Sequence, residues 1–197
     1  KYHGRALLIA SGSCAINCRY CFRRHFPYGE EIAAAGQWQQ ALEHLRRDGT
    51  ISELILSGGD PLSLATSKLE ELGRGLAELP QVIRLRIHRR LPVVLPERID
   101  RSFLNWFAAL PLQKVVVLHA NHANELDAGV DAACAHLREA GATVLNQSVL
   151  LRGVNDDADT LTDLSERLFA AGVLPYYLHQ LDRVHGTAHF EVDDARA

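Results

Sequence analysis

The 197-residue chain contains no methionine, only four cysteines and only three lysines: Lys1, Lys68 and Lys114. Three of the cysteines crowd into one short segment and the fourth, Cys134, stands alone in an apolar helical pattern, which makes a disulfide framework a poor reading and fits a reducing, cytoplasmic setting better. Cys134 reads as a small buried hydrophobe. No run approaches the ~18 apolar residues of a membrane span. No secretory leader pattern opens the chain, which starts Lys1-Tyr2-His3-Gly4-Arg5 and runs straight into a strand pattern. A net charge of −3 gives no global attraction to nucleic acid or to an anionic membrane. Low-complexity tracts, linkers and internal repeats are also missing, so one continuous domain is expected. With no initiator and abrupt ends, the chain reads as a segment of a longer protein.

What is present is periodic. Apolar runs at Ala6–Ala10, Leu54–Leu56, Arg84–Ile87, Val115–Leu118, Val144–Leu151 and Pro175–Leu181 alternate with helical patterns at Trp38–Asp48, Ser67–Glu78, Arg101–Leu110, Glu125–Ala140 and Asp159–Ala171. Such alternation implies right-handed βα units on a parallel sheet. Six units predict an α/β fold, a partial (βα)6 TIM-like barrel. Polar and glycine residues recur where the strands end, at the cysteine segment, Ser57–Pro61, His88–Arg90, His119–His122, Arg152–Asp156 and Gln180–Arg183. In βα barrels these ends share one mouth.

Cys14, Cys18 and Cys21 form a C-x3-C-x2-C loop. A cubane cluster normally takes four thiolates, so three in one loop leave one iron open to a substrate or cofactor. The competing reading is a tetrahedral zinc with Cys14, Cys18, Cys21 and His25, although all four candidates then crowd into one loop. Ser57-Gly58-Gly59-Asp60-Pro61 follows a strand and precedes a helix. Its glycines allow close backbone approach of a ligand, and its carbonyls and acidic side chain could accept from an ammonium group. Taken alone it is an ordinary turn sequence.

The cysteine spacing, with Tyr20 and Phe22 flanking the third cysteine, resembles the cluster loop of radical S-adenosylmethionine enzymes, and Ser57–Asp60 resembles their amino-group-binding element. Cys21-Phe22-Arg23-Arg24-His25-Phe26, Asn146-Gln147-Ser148-Val149-Leu150-Leu151-Arg152-Gly153-Val154-Asn155-Asp156 and Pro175-Tyr176-Tyr177 narrow the resemblance to lysine 2,3-aminomutases. Cys18-Arg19-Tyr20-Cys21-Phe22-Arg23-Arg24-His25-Phe26-Pro27-Tyr28 and Tyr177-Leu178-His179-Gln180-Leu181-Asp182 look closest to the branch that modifies a lysine of elongation factor P.

The resemblance implies an isomerase that converts an α-lysine to a β-lysine, using a 4Fe-4S cluster, S-adenosyl-L-methionine and pyridoxal 5′-phosphate. It implies Cys14, Cys18 and Cys21 as cluster ligands. Ser57, Gly58, Gly59, Asp60, His119 and Gln147 would lie near S-adenosylmethionine, and Arg5 near the cofactor phosphate. Arg23 would pair with the lysine carboxylate, a role its bidentate fork suits, and Asp182 would receive the distal ammonium. Expected partners are a lysine substrate, elongation factor P and its ligase, with homo-oligomerisation left open. Free lysine as substrate, or a non-catalytic zinc-stabilised barrel that binds a partner, are the rivals.

Each residue also has a plainer reading. Arg23 and Arg24 could be a solvated pair, Asp182 and Arg183 an exposed ion pair, and His119 a satisfied rim histidine. Arg84, Arg86, Arg89 and Arg90 suggest an electropositive rim or a solvated face. Pyridoxal phosphate needs a Schiff-base lysine. Lys68 is expected on an outer helix and Lys114 at the end opposite the mouth, so the anchoring lysine is expected in a C-terminal extension outside this chain. Residues 1–197 are then the partial-barrel core.

Overall fold

The computed structural model describes residues 3–25 and 38–197, so Lys1 and the 26–28 part of the quoted motif lie outside the described residues. Six strands, β1 (Arg5–Ser11), β2 (Glu53–Gly58), β3 (Arg84–His88), β4 (Gln113–His119), β5 (Ala142–Val149) and β6 (Leu174–His179), form one sheet in sequence order. Every neighbouring pair is parallel. Helices α1 (Trp38–Arg47), α2 (Thr66–Ala77), α3 (Leu91–Val94), α4 (Arg101–Ala109), α5 (Ala128–Glu139) and α6 (Ala158–Ala170) occupy the crossovers.

Alternation along the strands separates two chemistries. Leu54, Leu56, Leu85, Ile87, Val116, Leu118 and Val144 are buried and belong to the same core cluster as Leu69, Leu72 and Leu76 of α2 and Val130, Cys134 and Leu137 of α5. The opposite parity carries Arg5, Glu53, Ser57, Arg84, Arg86, His88, His119 and Gln147, which places them on the concave face. A parallel sheet usually hides apolar residues on both faces. Polar residues on one face mark that face as a lined cavity.

Helix starts follow local capping chemistry. Asp100, Asp127 and Asp157 accept hydrogen bonds from the backbone N–H of Phe103, Val130 and Thr160 at 2.7, 2.9 and 2.9 Å. Capping explains one difference from the sequence pattern, because α5 begins after Asp127 and Glu125 falls in the preceding 3-10 turn, Ala123–Glu125. Another difference is α3, a four-residue helix opened by Arg90 without a cap from its own neighbours. Its cap comes from far away in sequence: Asp60 Oδ2 accepts from the N–H groups of Arg90 and Leu91 at 2.8 and 2.7 Å.

Candidate active site at the carboxyl ends of the strands

The cysteine loop leaves β1 and turns back over β2, where it is held by two glycines. Gly59 N–H donates to Ser11 O at 2.6 Å and Asp60 N–H to Ser13 O at 2.8 Å. A Cβ on Gly58, whose φ is +119°, would lie 2.5 Å from Ser11 O, and one on Gly59 would collide with Ser13 O. These glycines thus let the chain's own cysteine loop pack against the end of β2. Asp60 is held just as closely. Its Oδ1 accepts from Leu62 N–H at 2.9 Å and its Oδ2 caps α3, so the carboxylate is already committed to three backbone donors and anchors the turn.

Cys14 is exposed, Cys18 and Cys21 are half-buried, and none is in a disulfide. Burial first, then the Asp60 carboxylate and the two neighbouring thiols, push the Cys14 thiol above its ordinary value. Three mutually repelling thiolates favour a bound cation, and metal binding would release their protons. Among the described residues no group of three His, Cys, Asp or Glu side chains could hold a metal ion. A single zinc needs all its sulfurs within ~2.3 Å of one point, whereas a cubane is gripped at separate corners, so its thiolates stand further apart. The His25 ring lies 6.3 Å from that of His185. Among the described residues the thiols and His25 are therefore not gathered into a Cys3His set.

Behind the loop is a polar network that sequence reading missed. Tyr20 Oη accepts from Asn121 Nδ2 at 2.6 Å and from Arg90 Nη1, and lies 3.4 Å from His119 Nε2. Glu125 Oε1 accepts from Asn121 N–H at 2.7 Å and its Oε2 from Arg90 Nη2 at 2.5 Å. Asn155 fastens the next loop by donating to Asn121 O at 2.9 Å and Val149 O at 3.0 Å. Tyr20 between two cysteines and the polar run after β3 were the available signals. Their pairing with Glu125 and Asn121 depends on the fold.

Arg23 reaches the same mouth, where its Nη1 donates to Ser57 Oγ at 2.9 Å and Gly58 O at 3.1 Å. This corrects the solvated-pair reading for Arg23. His119 and Gln147 are register partners on β4 and β5, and Gln147 also pairs with Tyr177 on β6. Burial, then Arg90, push His119 down to about 3. Burial, then Arg89 and Arg86, push His88 down to about 4, and His88 Nε2 is buried without a protein partner. Both imidazoles are neutral at pH 7. Asp182 lies exposed in the loop after β6, and Arg183 pairs with Glu191 at 2.8 Å in place of the Asp182 partner suggested by sequence adjacency.

Arg5 is not at the mouth. It pairs in register with Glu53, six residue steps before Ser11, or roughly 20 Å at strand rise. Its Nε lies 3.0 Å from the buried Glu53 carboxylate, which Arg84 Nη1 also meets at 3.3 Å and Arg86 Nε at 2.5 Å. Arg89 donates to Ile87 O, and Arg90 pairs with Glu125. The expected electropositive or solvated rim is corrected accordingly, because these arginines turn inward to partners. Lys68 pairs with Glu71 on α2, and Lys114 Nζ donates to Ala108 O and Leu110 O below the sheet, so neither faces the mouth.

Residues 3–82 match the family described as a 4Fe-4S single cluster domain. The whole chain is 54% identical over 197 residues to L-lysine 2,3-aminomutase of Escherichia coli (strain K12), and 50% identical to that of Haemophilus influenzae, spanning 58% of each. It is 37% identical over 193 residues to L-lysine 2,3-aminomutase of Clostridium subterminale, of which it spans 46%. The chain therefore spans about half of the length of these curated relatives. Native anSMEcpe with bound AdoMet superposes with a TM-score of 0.70 at 12% identity, over 98% of this chain and 57% of that one. Coproporphyrinogen III oxidase (HemN) from Escherichia coli, a radical SAM enzyme, gives 0.61 at 14% identity, over 98% and 48%. At such identities the likeness is one of fold, a partial TIM-like barrel built on one parallel six-stranded sheet.

Proposed function

We propose that this chain is the core of a radical S-adenosylmethionine isomerase that converts an L-α-lysine to a β-lysine, with the lysine of elongation factor P, presented with its ligase, as the substrate. The observation that carries the reading is the trio of free thiols, Cys14, Cys18 and Cys21, at the barrel mouth of a chain 54% identical over its full length to a protein named L-lysine 2,3-aminomutase. The elongation factor P assignment rests on the motifs around Phe22 and His179.

When bound, the cluster and S-adenosylmethionine supply a carbon radical that removes a hydrogen from the substrate. The chain's own residues bind and orient. Ser57 and Gly58 hold one end of the Arg23 fork, leaving its remaining N–H groups free to clamp a carboxylate bidentately. Asp182, exposed beyond β6, provides a negative charge for the distal ammonium. Ser57, the backbone of Gly58 and Gly59, His119 and Gln147 line the place assigned to S-adenosylmethionine. Asp60 holds that segment in place through its backbone hydrogen bonds. Neutral His88 and His119 add no positive charge that would compete with Arg23 for the carboxylate. Lys68 and Lys114, held on α2 and below the sheet, do not fit a Schiff-base role for pyridoxal phosphate.

The test is an anaerobic assay of the full-length protein with free L-lysine and with elongation factor P, side by side. β-Lysine is expected, faster on the elongation factor P route, and Arg23→Ala should lower its formation strongly. Formation from free lysine alone would assign the rival substrate. No β-lysine from either, with a fully loaded cluster, would end the aminomutase reading.

A further inference from the structure

Arg90 brings a guanidinium to the cysteine triad: its Nη1 lies 3.5 Å from Cys18 Sγ and hydrogen-bonds Tyr20 Oη. Three sides hold it in place. Its backbone N–H is bound by Asp60 Oδ2 at 2.8 Å, its Nη2 lies 2.5 Å from Glu125 Oε2, and its guanidinium lies 5.7 Å from the centre of the Tyr20 ring. The Arg90 and Glu125 side chains are only 19% and 22% exposed. A charge placed there is screened less than one in open solvent.

We infer that Arg90 sets the reduction potential of a cluster held by Cys14, Cys18 and Cys21, acting as a positioning residue through the Cys18 sulfur. The inference rests on the cluster reading above. One-electron reduction adds one negative charge to the cluster and its thiolates. A fixed N–H donor at a coordinating sulfur, on a cationic group, stabilises the more negative form more than the less negative one. Arg90 therefore raises the potential and makes the electron easier to accept. Glu125 keeps the guanidinium in register with Cys18, and Tyr20, which shares Nη1, keeps the loop in register with Arg90.

The experiment is an anaerobic potentiometric titration of the reconstituted full-length protein with dithionite as the one-electron donor, followed by the EPR signal of the reduced cluster. Iron and labile sulfide are measured on each sample. Arg90→Gln should cut the ratio of reduced to oxidised cluster at a fixed potential about tenfold, which is ~59 mV lower for a one-electron couple. Arg90→Lys keeps the charge but not the fork that spans Cys18, Tyr20 and Glu125, and should fall between wild type and Gln. If the Gln variant does not hold iron, the Lys variant decides: a lowered midpoint supports the inference and an unmoved one overturns it. Midpoints unmoved in variants that load iron and sulfide fully show that Arg90 only packs the loop, and leave the cluster reading intact. A wild-type protein without labile sulfide overturns the cluster reading and this inference together.

Discussion

The two ends of the strands solve the same electrostatic problem differently. At the amino ends, one buried carboxylate, Glu53, faces three arginines, Arg5, Arg84 and Arg86. At the carboxyl ends, Arg90 is matched one to one by Glu125, and its remaining donors go to Tyr20 and Cys18. Burial works against the Glu53 carboxylate, but its hydrogen bond to Arg86 and the charges of Arg86, Arg5 and Arg84 win and hold it below its ordinary range. The floor thus gathers three arginines on one carboxylate, with Gln113 Oε1 also accepting from Arg84, whereas at the mouth Arg90 has its own carboxylate and the three thiols are in no disulfide.

The largest effect expected from breaking this contrast is at the mouth. Cys18→Ala should abolish iron and labile sulfide in the anaerobically reconstituted protein, because two thiolates cannot replace three. Cys134→Ala, a change in a buried helix residue whose thiol burial pushes up to about 11, should leave both unchanged. Next comes the floor. Glu53→Ala leaves the buried Arg86 guanidinium without its carboxylate, while Arg5 and Arg84 stay partly solvated, and should cost about 3 kcal/mol in denaturant unfolding. Glu125→Ala, at a more exposed pair, should cost less. Equal losses would show that the arginines at the floor are neutralised by something other than Glu53.

A smaller effect concerns His88, the last residue of β3. Its folded value of about 4 lies below the unfolded ~6.5, so the unfolded chain binds the proton first as pH falls. Its contribution is intact above pH ~6.5 and is lost between there and about 4, with a slope of up to ~1.4 kcal/mol per pH unit. His119 adds a slope of the same sign. Urea unfolding at pH 7.0, 6.0 and 5.0 should show the loss, and His88→Gln should flatten part of it. An unchanged slope in that variant would place the pH dependence elsewhere. The smallest expected effect is none: borohydride with pyridoxal phosphate should give no specific stoichiometric adduct at Lys68 or Lys114. An adduct at either would contradict their placement on α2 and below the sheet.

Much of the architecture was legible in residue order. The six strands and five main helices stand within a few residues of their periodic patterns, because Leu54 and Leu56, or Leu69, Leu72 and Leu76, repeat at the spacing of one face. The cysteine loop was legible because its three ligands are adjacent. Glu125 was misplaced into a helix because periodicity does not register that Asp127 is the better cap. That Asp60 caps α3 was not legible, because nothing local shows that α3 lacks a cap of its own.

The sequence by itself determined the alternation of strand and helix, the apolar face of each and the trio of thiols, since these depend on neighbours a few residues apart. Only the tertiary structure decided that Glu53 holds three arginines, that Gly58 and Gly59 admit the cysteine loop, and that Arg90 meets Cys18 across 72 positions. The physical reason is that an ion pair or hydrogen bond is specified by distance and burial in space, and parallel crossovers bring together residues from separate strands without leaving a mark in the local pattern.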